Sequence, residues 1–307
     1  MPDSPYLSVV IPTKDRSEAL AVTLAALLLQ QTEEEFEIVV ADNGSADDTT
    51  EVISRLADSH PGRIEAISQP TGGPAAARNA AVRAARGQVF LLLGDDTEPA
   101  RPDLVQRHIE LHRNASDPAF AVLGRIEWTP KAPVTDFMNW LDSGGTQFHF
   151  FEIEAGPVDP ANYFYSSHLS LARAAFDAVG GFDERFPYAA IEDTDLGFRL
   201  TDWGLTLEYH PELLVWHDHP TTLDASLARM ERVGVSAARY NSLKPDRPHQ
   251  AIGTASGPRW RALHMTAPIL DKIKPTWLPA SIRGRYLWLR HMAHFSVGYR
   301  RWDGKTG

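Results

Sequence analysis

Residues 88–96 read QVFLLLGDD, an apolar run that stops at a glycine and two carboxylates. A short apolar run without polar alternation, closed by a turn signal, reads as a strand covered on both faces, as in parallel sheets. Gln88–Leu93 therefore reads as a strand ending at Gly94-Asp95-Asp96. The same form occurs twice upstream. Leu7–Ile11 is rich in β-branched residues and ends at Pro12, and Phe36–Ala41 breaks at Asp42-Asn43-Gly44-Ser45. Between these runs the spacing turns helical: Ser17–Gln31 with Ser17 as its N-cap, Asp47–Ser59, and Ala75–Ala85 opened by Gly72-Gly73-Pro74. A short strand is expected near Ile64–Ser68. Strands alternating with helices of about ten to fifteen residues predict a doubly wound α/β sheet.

Beyond residue 100 the alternation loosens. Asp103–Arg113 reads as a helix, Ala119–Trp128 as a strand, and residues 129–165 as an irregular segment carrying Phe137, Trp140, Phe148, Phe150 and Phe151. Arg173–Val179 is helical, Gly180-Gly181-Phe182-Asp183 a turn, and Glu192–Trp203 a helix. Thr206–His210 and Leu213–Trp216 read as two strands. From residue 223 the pattern is helical, interrupted near Pro245–Pro258 and at Pro275–Pro279. The expected division is a domain over 1–222 and an extension over 223–307.

Composition narrows the classes. The chain of 307 residues is 43% hydrophobic, enough to form a large core, which excludes collagen-like and disordered chains. It has no cysteine, so disulfides, thiolate metal sites and thiol catalysis are excluded, and a reducing cytoplasm suits it. Leu7–Pro12 is too short for a signal core, and no window reaches 18 consecutive apolar residues. The net charge of −10 hides a split. Residues 1–227 hold 15 Lys/Arg against 36 Asp/Glu, whereas residues 228–307 hold 15 against 4. The acidic body repels phosphate backbones, so no nucleic acid is expected as a partner.

In open α/β sheets, ligands bind beyond the carboxyl ends of the strands. Three such ends carry polar groups here: Pro12-Thr13-Lys14-Asp15-Arg16, Asp42-Asn43-Gly44-Ser45 and Gly94-Asp95-Asp96. A single Asp after a strand is ordinarily a cap or turn former; three converging ends argue for a site. No dinucleotide fingerprint or GxxxxGK loop follows the first strand, which removes the main support for dehydrogenase and kinase readings.

The stretches LSVVIPTKDR, EIVVADNGSADDT, GGPAAARNAAVRAARG, FLLLGDDTEP, VGGFDERF and AIEDTDLGFRL stand in the order seen in family 2 glycosyltransferases, and the chain resembles that family over about residues 6–219. The resemblance implies an α/β fold with a GT-A-type mixed sheet and a C-terminal helical extension. It further implies inverting transfer of a sugar from a nucleotide-sugar donor, a UDP-sugar by family frequency, to an acceptor hydroxyl on a carbohydrate or lipid-linked molecule.

Residue by residue, the resemblance assigns Pro12, Thr13, Asp15 and Arg16 to the nucleotide pocket, with Asn43 and Gly73 beside them. Asp42 would accept from the pyrimidine ring, and Arg78 and Asn79 would line the donor side. Asp95 and Asp96 match the metal motif, with Gly94 where its first Asp is expected: Asp96 would be the ligand of a divalent cation (Mn2+ or Mg2+) and Asp95 a ribose contact. Of the acidic pair Glu192-Asp193, Asp193 would be the general base, while Glu192 positions the acceptor or supports the loop. Asp195 would face solvent or cap the helix. His217 matches an additional metal-ligand position, His219 a weaker one, and His168 falls in a donor-sugar segment. Trp140, Phe148 and Phe151 either stack on an acceptor or pack internally.

Two other classes stay open: a non-catalytic nucleotide-sugar-binding protein, and a nucleotidyltransferase releasing pyrophosphate. For the basic extension the readings are peripheral docking on the inner face of the plasma membrane, packing on the acidic body, or a homo-oligomer contact.

Overall fold

The structure, a computed structural model, describes residues 4–246 and 258–302. In chain order its elements are β1 (Leu7–Thr13), α1 (Ser17–Leu28), β2 (Phe36–Asp42), α2 (Thr49–Ser59), β3 (Ile64–Ser68), α3 (Gly73–Ala84), β4 (Val89–Leu93), β5 (Thr97–Pro99), α4 (Leu104–Ala115), β6 (Phe120–Trp128) and α5 (Asp136–Asp142). There follow β7 (Gly156–Val158), α6 (Pro160–Tyr163), β8 (His168–Ala172), α7 (Arg173–Ala178), α8 (Ile191–Trp203), β9 (Thr206–His217), α9 (Leu223–Leu243), α10 (Pro258–Leu270) and α11 (Ala280–Arg301). Two compact units divide them: the described residues of Met1–Ala132, Ile153–Pro187 and Glu192–His219, and those of Pro133–Glu152, Tyr188–Ile191 and Pro220–Gly307.

The first unit is built on one mixed sheet in the order β3-β2-β1-β4-β8-β6-β9-β5, with β7 on β9. The unbroken apolar runs are its centre: Val9, Val10, Ile11, Val39, Val40, Leu91, Leu92 and Leu93 are all buried, each stabilising the fold by about 1.5–3 kcal/mol. β1 lies parallel to both β2 and β4, with Thr13 level with Asp42 and Val10 with Leu92. The chain winds outward through β2 and β3, then returns to the other side of β1 as β4. That reversal makes the gap beyond Thr13 and Leu93 the topological switch point, where an open α/β sheet leaves a crevice. Helix α3 lies close because small residues, Ala75, Ala76, Ala77 and Ala81 among them, make up much of its buried face.

Three local expectations are corrected and one strand is added. Ser17 is the first helical residue and no cap; its backbone N–H instead donates to Asp47 Oδ2 at 3.2 Å. The two strands after residue 206 are one, because a register shift opposite Gly124 and Arg125 absorbs Pro211-Glu212-Leu213 as a bulge. The irregular stretch 129–165 contains α5, β7 and α6. Strand β8 was hidden by its composition. It sits antiparallel between β4 and β6, buried on both faces, yet carries His168 and Ser170. Those two are tolerated because α4 supplies partners: His108 Nδ1 and His112 Nε2 each lie 2.8 Å from Ser170 Oγ, and His108 Nε2 lies 3.2 Å from His168 Nε2.

The second unit is helical. Gly234 and Gly298 let α9 and α11 touch: a Cβ on the first would strike the Phe295 carbonyl, and on the second the Glu231 carbonyl. Ser226 Oγ and His291 Nε2 join these helices at 2.9 Å. Of the two expected interruptions, the first falls mostly on residues 247–257, outside the described residues. Among the described residues no helix is long and apolar enough to cross a membrane.

Candidate active site

The carboxyl end of β4 presents two adjacent carboxylates with different surroundings. Asp95 turns toward β1, where Thr13 Oγ1 donates to its Oδ2 at 2.7 Å. Burial and the neighbouring Asp96 charge push its carboxyl up to about 6. Asp96 turns toward the end of β9. His217 Nε2 lies 3.4 Å from its Oδ1, and His219 Nδ1 lies 3.2 Å from its Oδ2. Burial opposes ionisation of Asp96, but the two imidazoles outweigh it and hold the carboxyl far below its ordinary value. Arg16 Nη1 stands 3.3 Å from the same Oδ2. Two pairings fix the arrangement: the Asp218 N–H donates to the Asp96 carbonyl at 2.8 Å, and Thr97 pairs with His217 in the ladder.

His219 was underweighted in the sequence. Alternate residues of an extended chain share a side, and here the His217 and His219 rings stack 5.4 Å apart, with Trp128 stacked on the other face of the pair at 5.2 Å from His217. Asp96, His217 and His219 offer ligand atoms all within 4.8 Å of one another. One carboxylate and two imidazoles form a donor set that fits a divalent transition cation such as Mn2+ better than Mg2+, which prefers oxygen alone. Gly94 contributes by its lack of a side chain, since a Cβ there would lie 3.1 Å from Asp96 Oδ1.

Beside this centre, the loops after β1 and β2 are fastened together. Asp15, at φ 52°, accepts from the Ala46 N–H at 2.7 Å, and its own N–H donates to Ser45 Oγ at 2.9 Å. The Arg16 N–H donates to Thr49 Oγ1 and the Asn43 N–H to the Thr13 carbonyl, both at 2.9 Å. Asp42 is buried at the strand end. Its Oδ1 accepts from Ser45 N and Oγ at 2.9 and 2.6 Å, and its Oδ2 from Thr50 Oγ1 at 2.5 Å. Burial raises its carboxyl, yet these bonds prevail and leave it lowered. Asn43 Oδ1 is buried with no hydrogen-bond partner. Pro12 pairs with Ala41 just below this loop pair. Gly73, at φ 75°, brings the start of α3 against the Pro187 carbonyl, which a Cβ would meet at 3.0 Å.

The start of α8 is held by α3. Arg78 Nη1 donates to Glu192 Oε1 at 3.0 Å, and Glu192 is 0% exposed. Of the two roles expected for Glu192, support of the loop is the one this burial suits. The Asn79 amide is engaged by the turn before α8: its Nδ2 donates to the Phe182 carbonyl and Glu184 Oε1, both at 2.9 Å, while its Oδ1 accepts from Phe182 N at 3.0 Å. It clamps the Gly181–Glu184 turn. Asp193 is half-buried and accepts from the Ser166 N–H at 3.0 Å. Asp195 neither faces solvent nor caps the helix; it is 1% exposed and paired with Arg199 Nε at 2.8 Å. His168 is buried within the sheet, its Nδ1 3.1 Å from the Arg125 carbonyl. Trp140 packs against Phe137 and His291, at 5.9 and 5.0 Å. Phe148 packs against Phe150 at 5.7 Å, whereas Phe151 is exposed.

Residues 8–176 match the family described as glycosyl transferase family 2, and residues 137–300 match glycosyl transferase family group 2. The chain is 31% identical over 272 residues to the validoxylamine A glucosyltransferase of Streptomyces hygroscopicus subsp. jinggangensis (strain 5008), covering 81% of this chain and 62% of that protein. It is 26% identical over 283 residues to the uncharacterized glycosyltransferase YfnE of Bacillus subtilis (strain 168), covering 77% and 71%. The mannosyltransferase PcManGT from Pyrobaculum calidifontis, solved with GDP-Man and Mn2+, superposes with a TM-score of 0.58 at 18% identity, over 95% of this chain and 88% of that one. TarS residues 1–349 from S. aureus, solved with UDP, gives 0.55 at 13% identity, over 96% and 90%.

Proposed function

The chain belongs to glycosyl transferase family 2 and has the GT-A fold, and on that premise we propose that it transfers a sugar, with inversion, from a nucleoside-diphosphate donor to an acceptor hydroxyl. The observation that carries this reading is the Asp96–His217–His219 cluster at the switch point of the sheet. These three residues would hold a divalent cation, Mn2+ by their donor set. When bound, the cation neutralises charge that develops on the leaving diphosphate.

The chain's own groups do the rest. Arg16, beside Asp96, presents a fixed cation and hydrogen-bond donors to the diphosphate. Asp95, held by Thr13, faces the ribose. Asp42 keeps an ionised carboxylate at the β2 end for an imide N–H of the base, with the unpartnered Asn43 Oδ1 as a second acceptor. Gly73 and the Arg78–Glu192 pair shape the donor side without touching the reacting atoms. Asp193 is the general base: its carboxylate, steadied by the Ser166 N–H, takes the acceptor hydroxyl's proton. The freed oxygen then bonds to the anomeric carbon as the bond to the diphosphate breaks on the opposite face.

The donor we assign is a UDP-sugar and the acceptor a carbohydrate or lipid-linked molecule. PcManGT was solved with GDP-Man and TarS with UDP-GlcNAc, so both bases belong in the test. We place the enzyme in the cytoplasm, which a cysteine-free chain suits. A panel of UDP-, GDP- and dTDP-sugars, assayed with and without Mn2+, tests the proposal. Mn2+-dependent release of nucleoside diphosphate is expected for one donor. Release of pyrophosphate, or donor binding unaffected by Mn2+, would overturn it.

A further inference from the structure

Residues 258–302 contain nine Arg or Lys and a single acid, Asp271. That acid is already engaged: its Oδ1 accepts from Arg290 Nη2 at 2.7 Å and lies 3.0 Å from His294 Nε2. Arg259, Arg261, Lys272, Lys274, Arg285 and Arg300 are exposed, so this part of the helical unit carries a concentrated positive field.

The same helices leave large apolar side chains in water. Met265 is 68% exposed, Ile269 62% and Trp277 66%, and Ile282, Trp288 and Leu289 are exposed as well. They are not scattered. In α10 the exposed positions Arg261, Met265, Pro268 and Ile269 share one helix face, and Lys272 follows just past its end. In α11, Ile282, Arg285, Trp288 and Leu289 do the same. Packing takes up other positions of the same helices: Ala267 in α10, and Tyr286, Leu287, Ala293 and Phe295 in α11, are buried.

The two helices form one antiparallel hairpin. Trp260 meets Phe295 at 5.7 Å near one end. At the other, Tyr286 Oη donates to the carbonyls of Leu270 and Ile273 at 2.7 and 2.6 Å. Arg283 Nη2 donates to the Leu278 carbonyl at 3.3 Å. The connection carrying Lys272, Lys274 and Trp277 is thus fastened beside the first turns of α11.

We propose that the α10–α11 hairpin docks on an anionic lipid bilayer. Met265, Ile269, Trp277, Ile282 and Leu289 enter the boundary between headgroups and acyl chains, while Arg261, Lys272, Lys274 and Arg285 meet lipid phosphates. Bases interleaved with exposed Trp, Ile, Leu and Met on amphipathic helices suit a surface that is charged outside and apolar beneath. Charge complementarity selects this occupant. A second copy of the same face would bring like charges together, and a nucleic acid would leave the apolar side chains in water.

Sedimentation of the full chain with vesicles tests this independently of any transfer reaction. Binding is expected to phosphatidylglycerol-containing vesicles at low salt, with at least a ~10-fold smaller bound fraction on pure phosphatidylcholine or at high salt. Lys272→Glu with Lys274→Glu should lower binding at least ~10-fold, and Ile269→Ser with Trp277→Ser should lower it several-fold. All four positions are exposed, and circular dichroism checks that the variants fold. Failure to bind either vesicle type at low salt would overturn the proposal, as would equal binding to both types. Light scattering that finds a dimer broken by Ile269→Glu would place a second copy on this face and overturn it too.

Discussion

Arg78 and Glu192, 114 residues apart in the chain, form an ion pair at 3.0 Å in which both side chains are buried. The pair joins α3 to the start of α8 and so sets where Asp193 stands. Removing one partner leaves a buried charge alone, a loss of about 3–5 kcal/mol, whereas replacing both with apolar residues is close to neutral. Glu192→Ala should lower the stability read by urea unfolding by that amount, and Arg78→Met with Glu192→Leu by much less. A Glu192→Ala protein within ~1 kcal/mol of wild type would show that the pair does not hold the helix.

Asp193→Asn keeps the shape of the side chain and its bond from Ser166 but removes the carboxylate proposed as the general base. Turnover should fall at least ~10²-fold, with the Kd for donor unchanged within about twofold. Steady-state transfer kinetics with direct donor-binding measurements check this. Normal turnover with weakened donor binding would move Asp193 out of the acceptor side.

The buried histidines between α4 and β8 predict an acid-sensitive fold. Burial pushes His112 and His168 down to about 4 and His108 well below its ordinary value, so all three are neutral at pH 7. In the unfolded chain they titrate near pH 6.5. Above that pH neither state takes up a proton there and full stability is present. Between about 6.5 and 4 the unfolded chain binds protons that the folded one excludes, and stability falls by roughly 3 kcal/mol for each histidine of the pair His112 and His168. Thermal unfolding from pH 7 to pH 4 should show this slope, and His168→Gln should make it shallower. An unchanged slope in that variant would assign the acid sensitivity to other groups.

Gly124 serves the same cluster, since a Cβ there would overlap the His168 ring. Gly124→Ala should destabilise the protein by about 1–3 kcal/mol, as overpacked cores do. In a double-mutant cycle Gly124→Ala should cost less in a His168→Gly background than in wild type, as thermal melts of the single and double variants would register. An equal cost in both backgrounds would place the strain in the β6 backbone.

The central strands and the crevice were legible because each rests on a local pattern: β1, β2 and β4 are unbroken apolar runs, and Thr13, Asp42, Asp95 and Asp96 follow directly at their ends. What escaped reading depends on partners distant in the chain. Strand β8 carries His168 and Ser170 in the core, which no local pattern announces, because their partners His108 and His112 stand on α4. The amide of Asn79 clamps Phe182, 103 residues away, a contact no local pattern shows. Asp195 reads as a surface acid until Arg199 covers it. His219 lies past the end of β9, and the Asp218–Asp96 backbone bond, between residues distant in the chain, brings it to Asp96.

The most direct test of the account is a Mn2+ titration in the presence of UDP, followed by the electron paramagnetic resonance signal of the free ion. Asp96, His217 and His219 should together bind one Mn2+ per chain. Asp96→Asn should abolish that binding, and His219→Ala should weaken it by about 10-fold or more. Wild-type Mn2+ binding in Asp96→Asn and in His219→Ala would contradict the assignment of the metal centre and, with it, the proposed mechanism.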